Sequence, residues 1–489
     1  MKENEAYVRR CLFCVVLLSV IFASCTVFGA TLRVPGEYFT IQKAIEAASA
    51  LDVVIVADGT WKGTGFKNLD VKLIKVRSEN GPEKCIIDCE GSGTAFSVSG
   101  SASEVSGFTV SNADSTGIVA GDSSTISNCI ISNNVGSFGG GVKCESATIR
   151  DCVITGNRAS KGGGVYSPVT SSPIITNCII SNNSANYGAG IYCERNANIS
   201  GCTISNNLTD GNGGGVYFGS SGNNISNCVV ANNTANNGGG FYLAGSSSSI
   251  INCTVVNNES ANPGGGICAF SSISATLINC IIWENTPDQT SGESLEIYHS
   301  DVQGGFSGMG NIDADPLLGN DNHLKAGSPC IDAGTSEMDA PDTDIDGASR
   351  PQGSGHDIGA DEASADSPND PSANAGSDQI TGDEITLHGS KSFDPDGSIA
   401  SYQWELRHKA NSVYNKTVSG ETVTVSDLKK GFYDVTLTVT DDSGAVNSDE
   451  MFFSATGDPT KEYDINGDGK AGLAEVVYFL QLLSGKEIR

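Results

Sequence analysis

The chain has 489 residues, 60 of them Gly, with only 17% charged residues and a formal net charge of −29. That charge argues against a nucleic-acid partner, and the low charge density combined with abundant Gly, Asn and Ser makes internal repeats the first thing to look for.

At the amino terminus Lys2, Arg9 and Arg10 precede an apolar run from Leu12 to Ala23, and small residues follow as far as Gly29-Ala30. A basic start, a short apolar stretch and a small-residue exit predict a signal peptide over residues 1–29, with Val27 three places before the cut. A lipoprotein signal ending Phe22-Ala23-Ser24-Cys25 is the second reading. No other segment is apolar enough to span a bilayer, so the expected location is secreted, extracellular or cell-surface attached.

Thr40 is placed to cap a short helix through Ile41, Ala44, Ile45, Ala47 and Ala48, followed by a strand Val53-Val54-Ile55-Val56. Seven cysteines then set a register: Cys129, Cys152, Cys178, Cys202, Cys228, Cys253 and Cys280, at intervals of 23 to 27 residues. Three places before each stands Ile or, once, Leu277; two places after stands Ile or Val. β-Branched positions suit short strands, and a period near 25 without a helical pattern predicts one turn of a right-handed parallel β-helix per repeat. Directly before each Cys comes Asn128, Asp151, Asn177, Gly201, Asn227, Asn252 or Asn279, the residue types that tolerate positive φ, so a sharp corner is expected there. Five places after each Cys comes Asn134, Asn157, Asn183, Asn207, Asn233, Asn258 or Asn285, which predicts a column of amides bonded from coil to coil. A glycine-rich run such as Gly162-Gly163-Gly164 follows in six of the seven repeats. The cysteines themselves read as an inward column of unpaired thiols, because side chains in parallel register point the same way and seven is odd.

After each Gly run a Val or Ile should point inward and its successor outward. The successors include Tyr166, Tyr192, Tyr217 and Tyr242, four consecutive coils. They are the candidate ligand-binding residues, a ladder of rings on which a sugar chain could stack; the competing reading is a ladder that only stabilises the sheet. Candidate catalytic groups are scarce. Glu145 and Glu194 share a column, but the coil between presents Pro168, and Arg150, Arg158 and Arg195 recur beside no acid cluster. No catalytic residue is assigned.

The order Tyr38-Phe39-Thr40-Ile41-Gln42-Lys43-Ala44-Ile45, then Val54-Ile55-Val56-Ala57-Asp58-Gly59-Thr60-Trp61, resembles the start of the pectin-lyase-like β-helix superfamily. Gly162-Gly163-Gly164-Val165-Tyr166 and its copies also resemble repeats of chlamydial polymorphic outer-membrane proteins, which are adhesins. The β-helix is expected over residues 30–312. Residues 313–362, with Asp315-Pro316-Leu317, Gly327-Ser328-Pro329, Ile331-Asp332-Ala333-Gly334, Arg350-Pro351 and Asp357-Ile358-Gly359-Ala360-Asp361-Glu362, resemble a choice-of-anchor Q module, which implies a loop-rich cap. Asp332, Arg350 and Asp357 read there as loop ties. Residues 363–371 are rich in Pro, Ser and Asp and form the expected linker.

Residues 372–456 alternate as strands, for example Tyr433-Asp434-Val435-Thr436-Leu437-Thr438-Val439, and predict a small Ig-like antiparallel β-sandwich. Ser392-Phe393-Asp394-Pro395-Asp396-Gly397-Ser398, Tyr402-Gln403-Trp404 and Thr438-Val439-Thr440-Asp441 resemble the PKD family, with Trp404 expected in the core.

In residues 457–489, Asp464, Asn466, Asp468, Lys470 and Glu475 fall at loop places 1, 3, 5, 7 and 12 of a calcium loop, with Gly469 at the bend. Lys470 would use its carbonyl and Glu475 both carboxylate oxygens. This segment, with Leu473, Val476, Val477, Leu480 and Leu483 on a following helix, resembles half of a type I dockerin. A dockerin has two such repeats, so a cohesin-like partner is a weaker expectation than Ca2+ itself. The fold class expected is all-β: a β-helix, a PKD-like sandwich and a short helical EF-hand-like tail. The function expected is noncatalytic adhesion or binding of an extracellular polysaccharide or surface protein. The alternative is a pectate-lyase-like lyase or glycoside hydrolase with a dockerin-like tail.

Overall fold

The computed structural model describes residues 29–455, apart from 246, 271–273, 320, 338–339, 364–370, 377–378, 382–383, 395–397, 410–411 and 443–445. The expected signal peptide, most of the linker and the calcium-loop residues Asp464, Asn466, Asp468, Lys470 and Glu475 lie outside the described residues. The described chain forms two compact units. One holds the coils together with Asp332–Glu362, and the other holds the sandwich together with Leu317–Ile331.

A single α-helix among the described residues, Ile41–Ala47, opens the first unit, and its N-cap Thr40 accepts a bond from the Lys43 amide at 3.2 Å. Each coil then repeats three strands, which stack in parallel register into sheets of 10, 12 and 11 strands. In the coil around Cys152 these are Val142–Cys144 in the first sheet, Thr148–Arg150 in the second and Val153–Thr155 in the third. A fourth sheet of five short strands was not anticipated from sequence; Arg158–Lys161 is an example. Its positions carry no recurring β-branched residue, so no local propensity marks it.

The repeat's chemistry explains its shape. Ile126, Ile149, Ile175, Ile199, Ile225, Ile250 and Leu277 of the second sheet are all buried, as are the Ile and Val at the matching place of the third. Each such side chain contributes roughly 1.5–3 kcal/mol by leaving water. The corner between these sheets is turned by the predicted residues, all seven at positive φ, from Asn227 at 48° to Gly201 at 62°. A second left-handed corner follows the third sheet, at Asn133, Gly156, Asn182, Asn206, Asn232, Asn257 and Glu284. The Asn-Asn pairs in the sequence were its signal: the first Asn turns the chain and the second enters the interior.

That second Asn builds the buried amide column. Asn183 Nδ2 donates to Asn207 Oδ1 at 3.1 Å and to the Ile154 carbonyl at 2.9 Å, while the Asn183 amide also donates to Asn207 Oδ1. The same set repeats from Asn134 to Asn258, and at the last member Gln289 Oε1 takes the place of the next Asn. The glycine run makes room for it: a Cβ on Gly164 would lie 2.6 Å from the Gly190 carbonyl and 3.0 Å from Asn183 Nδ2.

The seven aligned cysteines are buried and free, in one inward column. Each thiol donates to the carbonyl two residues before it, at 3.1–3.3 Å. Burial and neighbouring thiols raise the titration of Cys129, Cys152, Cys178, Cys228 and Cys280, whereas the flanking thiols of Cys178 and Cys228 lower that of Cys202.

Asp332–Glu362 carries no strand among its described residues and packs along the side of the coils. Asn227 Nδ2 donates to the Thr343 carbonyl at 2.6 Å, and the Ala360 amide donates to Thr254 Oγ1 at 3.0 Å. Outward residues of the third sheet, Val229, Thr254 and Ile281, are consequently buried, whereas Ile179 in the same column is 48% exposed.

The second unit contains a five-stranded sheet and a two-stranded one. Long antiparallel strands Ile399–His408, Gly431–Asp441 and Val446–Ala455 pack Trp404, Tyr433, Val435, Leu437 and Phe453 inward. Trp404 is fully buried, as expected, and its Nε1 donates to the Gly420 carbonyl at 3.0 Å.

Candidate functional site

Tyr166, Tyr192, Tyr217 and Tyr242 stand in register on the outer side of the first sheet, between Lys143 and Cys268. The residues before them, Val165, Ile191, Val216 and Phe241, point inward and are buried. Ring centroids are 5.5, 4.5 and 5.3 Å apart along the column, with interplanar angles of 25°, 7° and 20°. The rings therefore cover one another's faces, the arrangement that stabilises aromatic pairs. Tyr192 and Tyr242 are buried, and Tyr166 and Tyr217 are half-buried.

A polar cluster sits at Tyr192. Its hydroxyl donates to Glu194 Oε1 at 2.8 Å and accepts from Lys161 Nζ at 3.0 Å, and the ammonium lies 4.6 Å from the ring centroid. Burial first and the Glu194 carboxylate second push the Tyr192 hydroxyl well above its ordinary range. It works as a hydrogen-bond donor at any neutral pH, never as a base.

Sequence reasoning missed the neighbouring column, formed by the residue directly before each Gly run. Phe138 pairs with Lys161, Lys161 with Tyr187, and Asn212 with Asn237. Phe138 is 46% and Tyr187 43% exposed. Phe138 lies 5.0 Å from Tyr166, and Tyr187 meets Tyr217 edge-on at 6.4 Å. The two aromatic columns thus flank one glycine corner. The signal was the fixed place before each Gly run, obscured because only two of the repeats put a ring there.

Charged groups gather in the first coils, around a cleft of about 490 Å³ lined by Lys62, Asp88, Glu90, Asn112, Asp114 and Asn133. Lys62 Nζ lies 2.7 Å from Asp88 Oδ2, and Asn112 Nδ2 and the Glu90 amide each donate to Asp88 Oδ1 at 2.9 Å. Lys62 first and Asn112 second hold the Asp88 carboxyl down to about 2, and Asp88 in turn raises Lys62. Lys62 is thereby held as an ammonium paired to Asp88 and is not available as a base at neutral pH.

The other charged candidates are loop ties. Asp357 Oδ1 accepts from the Asp332 amide at 2.7 Å, and Asp332 Oδ1 from the Gly355 amide at 2.8 Å. Arg350 is fully buried against Glu362 at 2.8 Å and donates to the Gly359 and Ala360 carbonyls.

Residues 94–211 and 189–304 match the family model described as right handed beta helix region, and residues 375–453 match a family model of PKD domains. No curated protein matches the chain. Among solved structures, pectate lyase Pel9A is 16% identical, with 68% of this chain and 96% of that one covered and a TM-score of 0.47. The PKD domain of human KIAA0319 is 16% identical over 20% of this chain and 95% of that one, with a TM-score of 0.15. A carbohydrate-binding module of the β-sandwich superfamily is 30% identical over 20% of this chain and 40% of that one, also with a TM-score of 0.15. Among the described residues no helix is long and apolar enough to cross a membrane. With its stacked parallel sheets and its separate antiparallel sandwich, the chain is a right-handed parallel β-helix protein that carries a PKD domain.

Proposed function

We propose that this is an exported or cell-surface protein that binds an extracellular polysaccharide or surface protein without transforming it, the β-helix and PKD domain serving as the extended parts. The observation that carries the reading is the aromatic face at the glycine corner, where stacked tyrosines support exposed rings beside Lys161 and Glu194. Rigid aromatic surface with a few placed polar groups suits sugar recognition. A glycan array probed with the full chain tests it: retention of at least one polysaccharide class is expected, and none retained sinks the polysaccharide reading in favour of protein contacts.

The C-terminal loop adds a calcium site to this proposal. Asp464, Asn466 and Asp468 would bind by side chain, Lys470 by its carbonyl and Glu475 by both oxygens, a set supported by its spacing. Calorimetry of the full chain with and without Glu475→Gln should show one calcium site weakened sharply; equal affinity would refute the assignment.

A second reading, a lyase or hydrolase of acidic polysaccharide, is favoured by the charged cleft at Lys62, Asp88, Glu90 and Asp114. Unsaturated product from polygalacturonate or alginate in the presence of calcium would establish it.

A further inference from the structure

We infer that the sugar-binding positions are Phe138 and Tyr187, with Lys161, Asn212 and Asn237 completing one line, and that the ligand is an uncharged, extended polysaccharide lying parallel to the β-helix axis. This rests on the polysaccharide reading above and gives it residues and a substrate class.

A sugar ring stacks on the face of an aromatic side chain, so an occupied face is useless to it. The faces of the tyrosine column are occupied by one another, with centroids as close as 4.5 Å. Phe138 and Tyr187 are the aromatic side chains of this corner that remain broadly exposed, at 46% and 43%. Each leans on the column from outside, against Tyr166 and Tyr217 respectively, and is thereby held in place before any ligand arrives. A preorganised ring loses little side-chain freedom on binding.

The spacing is set by the fold. Phe138 and Tyr187 are in register two coils apart through Lys161, which places them about 10 Å from one another along the axis. Two linked pyranose rings of an extended chain span such a distance, so alternate sugars meet Phe138 and Tyr187 while the one between lies over Lys161. In the next two coils the line continues with amides, Asn237 Nδ2 donating to Asn212 Oδ1 at 2.8 Å. Their remaining donor and acceptor atoms suit sugar hydroxyls.

Charge selects the ligand class. Lys161 is the cation on this line, and Glu194 stands 3.8 Å from it while the Tyr192 hydroxyl takes one of its protons in a hydrogen bond. Its charge is balanced locally, and the chain as a whole carries −29. A polyanion would find the cation of this line already paired.

Affinity electrophoresis of the full chain in gels containing a soluble neutral β-glucan, a xylan or polygalacturonate tests the inference. Phe138→Ser, Tyr187→Ser and the double variant are compared with Phe432→Ser, an exposed ring of the sandwich unit, as control. Each single change should weaken retention by a neutral polysaccharide about tenfold, the double change should abolish it, and the control should be neutral. Circular dichroism melting confirms that the variants fold. Wild-type affinity that survives in a folded double variant overturns these positions and leaves the polysaccharide reading standing, and stronger retention by polygalacturonate than by the neutral chains overturns the ligand class. Retention by none of them, with an empty glycan array, overturns both readings.

Discussion

In the β-helix one buried position is filled seven times over by the same residue, from Asn134 to Asn285, whereas the sandwich fills its interior once, around Trp404, Tyr433 and Phe453. The polar atoms are satisfied differently as a result. Each amide of the column depends on the amides of the coils on either side. In the sandwich Trp404 Nε1 finds the Gly420 carbonyl, and the Tyr433 hydroxyl both accepts from and donates to the backbone of Lys429, so each polar handle closes on its own neighbourhood. A column tolerates polar residues inside because every member completes the next. It also spreads damage, which a sandwich core keeps local.

The largest effect should come from Asn183→Asp. The change replaces the Nδ2 donor with an acceptor that faces Asn207 Oδ1 and the Ile154 carbonyl, in a place with no exposure to water to speak of. A buried, mispaired carboxylate should cost more than about 4 kcal/mol. Hydrogen exchange should show protection lost at the amides of Asn157, Asn183 and Asn207 together, with the strands of the sandwich unchanged. Loss confined to Asn183 would break the view of the column as one cooperative object.

Trp404→Phe is the counterpart in the sandwich. It removes one ring's volume and leaves the Gly420 carbonyl without its donor, at a cost of about 1–3 kcal/mol. Exchange should quicken in Ile399–His408 and in its neighbour Gly431–Asp441, and nowhere among the coils.

These elements differ in how openly the sequence displays them. The first corner and the amide column were readable because each is a fixed offset from a recurring Cys, and the outward tyrosines because each is a fixed offset from a Gly run; stacking forces equal offsets into equal environments. The fourth sheet was not readable: Ala159, Ala185 and Ala235 share its buried place, but Thr209 and Ser260 interrupt them and alanine carries little strand preference, so the pairing is imposed by the coils around it. The candidate site divides the same way. Tyr166 to Tyr242 could be placed in one column by counting, but the mutual cover of their faces and the exposure of Phe138 and Tyr187 depend on packing that leaves no mark in the sequence. The path of Asp332–Glu362 along the third sheet was equally hidden, since single bonds such as Asn227 to Thr343 leave no periodic trace.

Alkali should separate the two regions by a smaller margin. Burial pushes the Cys85 and Cys144 thiols up to about 12 and the Cys89 thiol to about 11, against an ordinary 9.0. A raised folded-state value means that the folded coils hold protons which the unfolded chain releases. Their contribution is complete below pH 9 and is lost as pH rises toward 11 and 12. Residues 372–456 contain no cysteine, and the buried Tyr433 hydroxyl starts from the higher ordinary value of 10.0 and is raised from there. Exchange protection measured across that range should fail first in the coils; failure first in the sandwich would show that the thiols do not govern alkaline stability.

The smallest effect expected is at the charged cleft, and it bears on whether the first coils can do chemistry. Asp88 is held at about 2 by Lys62 foremost, then by Asn112 and the Glu90 amide. A depressed carboxyl stabilises the folded chain at neutral pH and loses that contribution as pH falls from its ordinary 3.8 through 2. In Lys62→Met the two remaining donors persist, so the Asp88 carboxyl should move up and yet stay below 3.8, with no visible change in melting because the lysine is half exposed. A carboxyl-resolved NMR titration reads this directly. If Asp88 instead titrates normally in the wild type, the ion pair is not formed in solution. Lys62 would then be free to meet an anionic sugar, and the enzymatic reading would gain the cation it needs. If Asp88 titrates near 2, the ammonium stays committed to it across the whole neutral range, and the cleft offers an anionic sugar no unpaired Lys62.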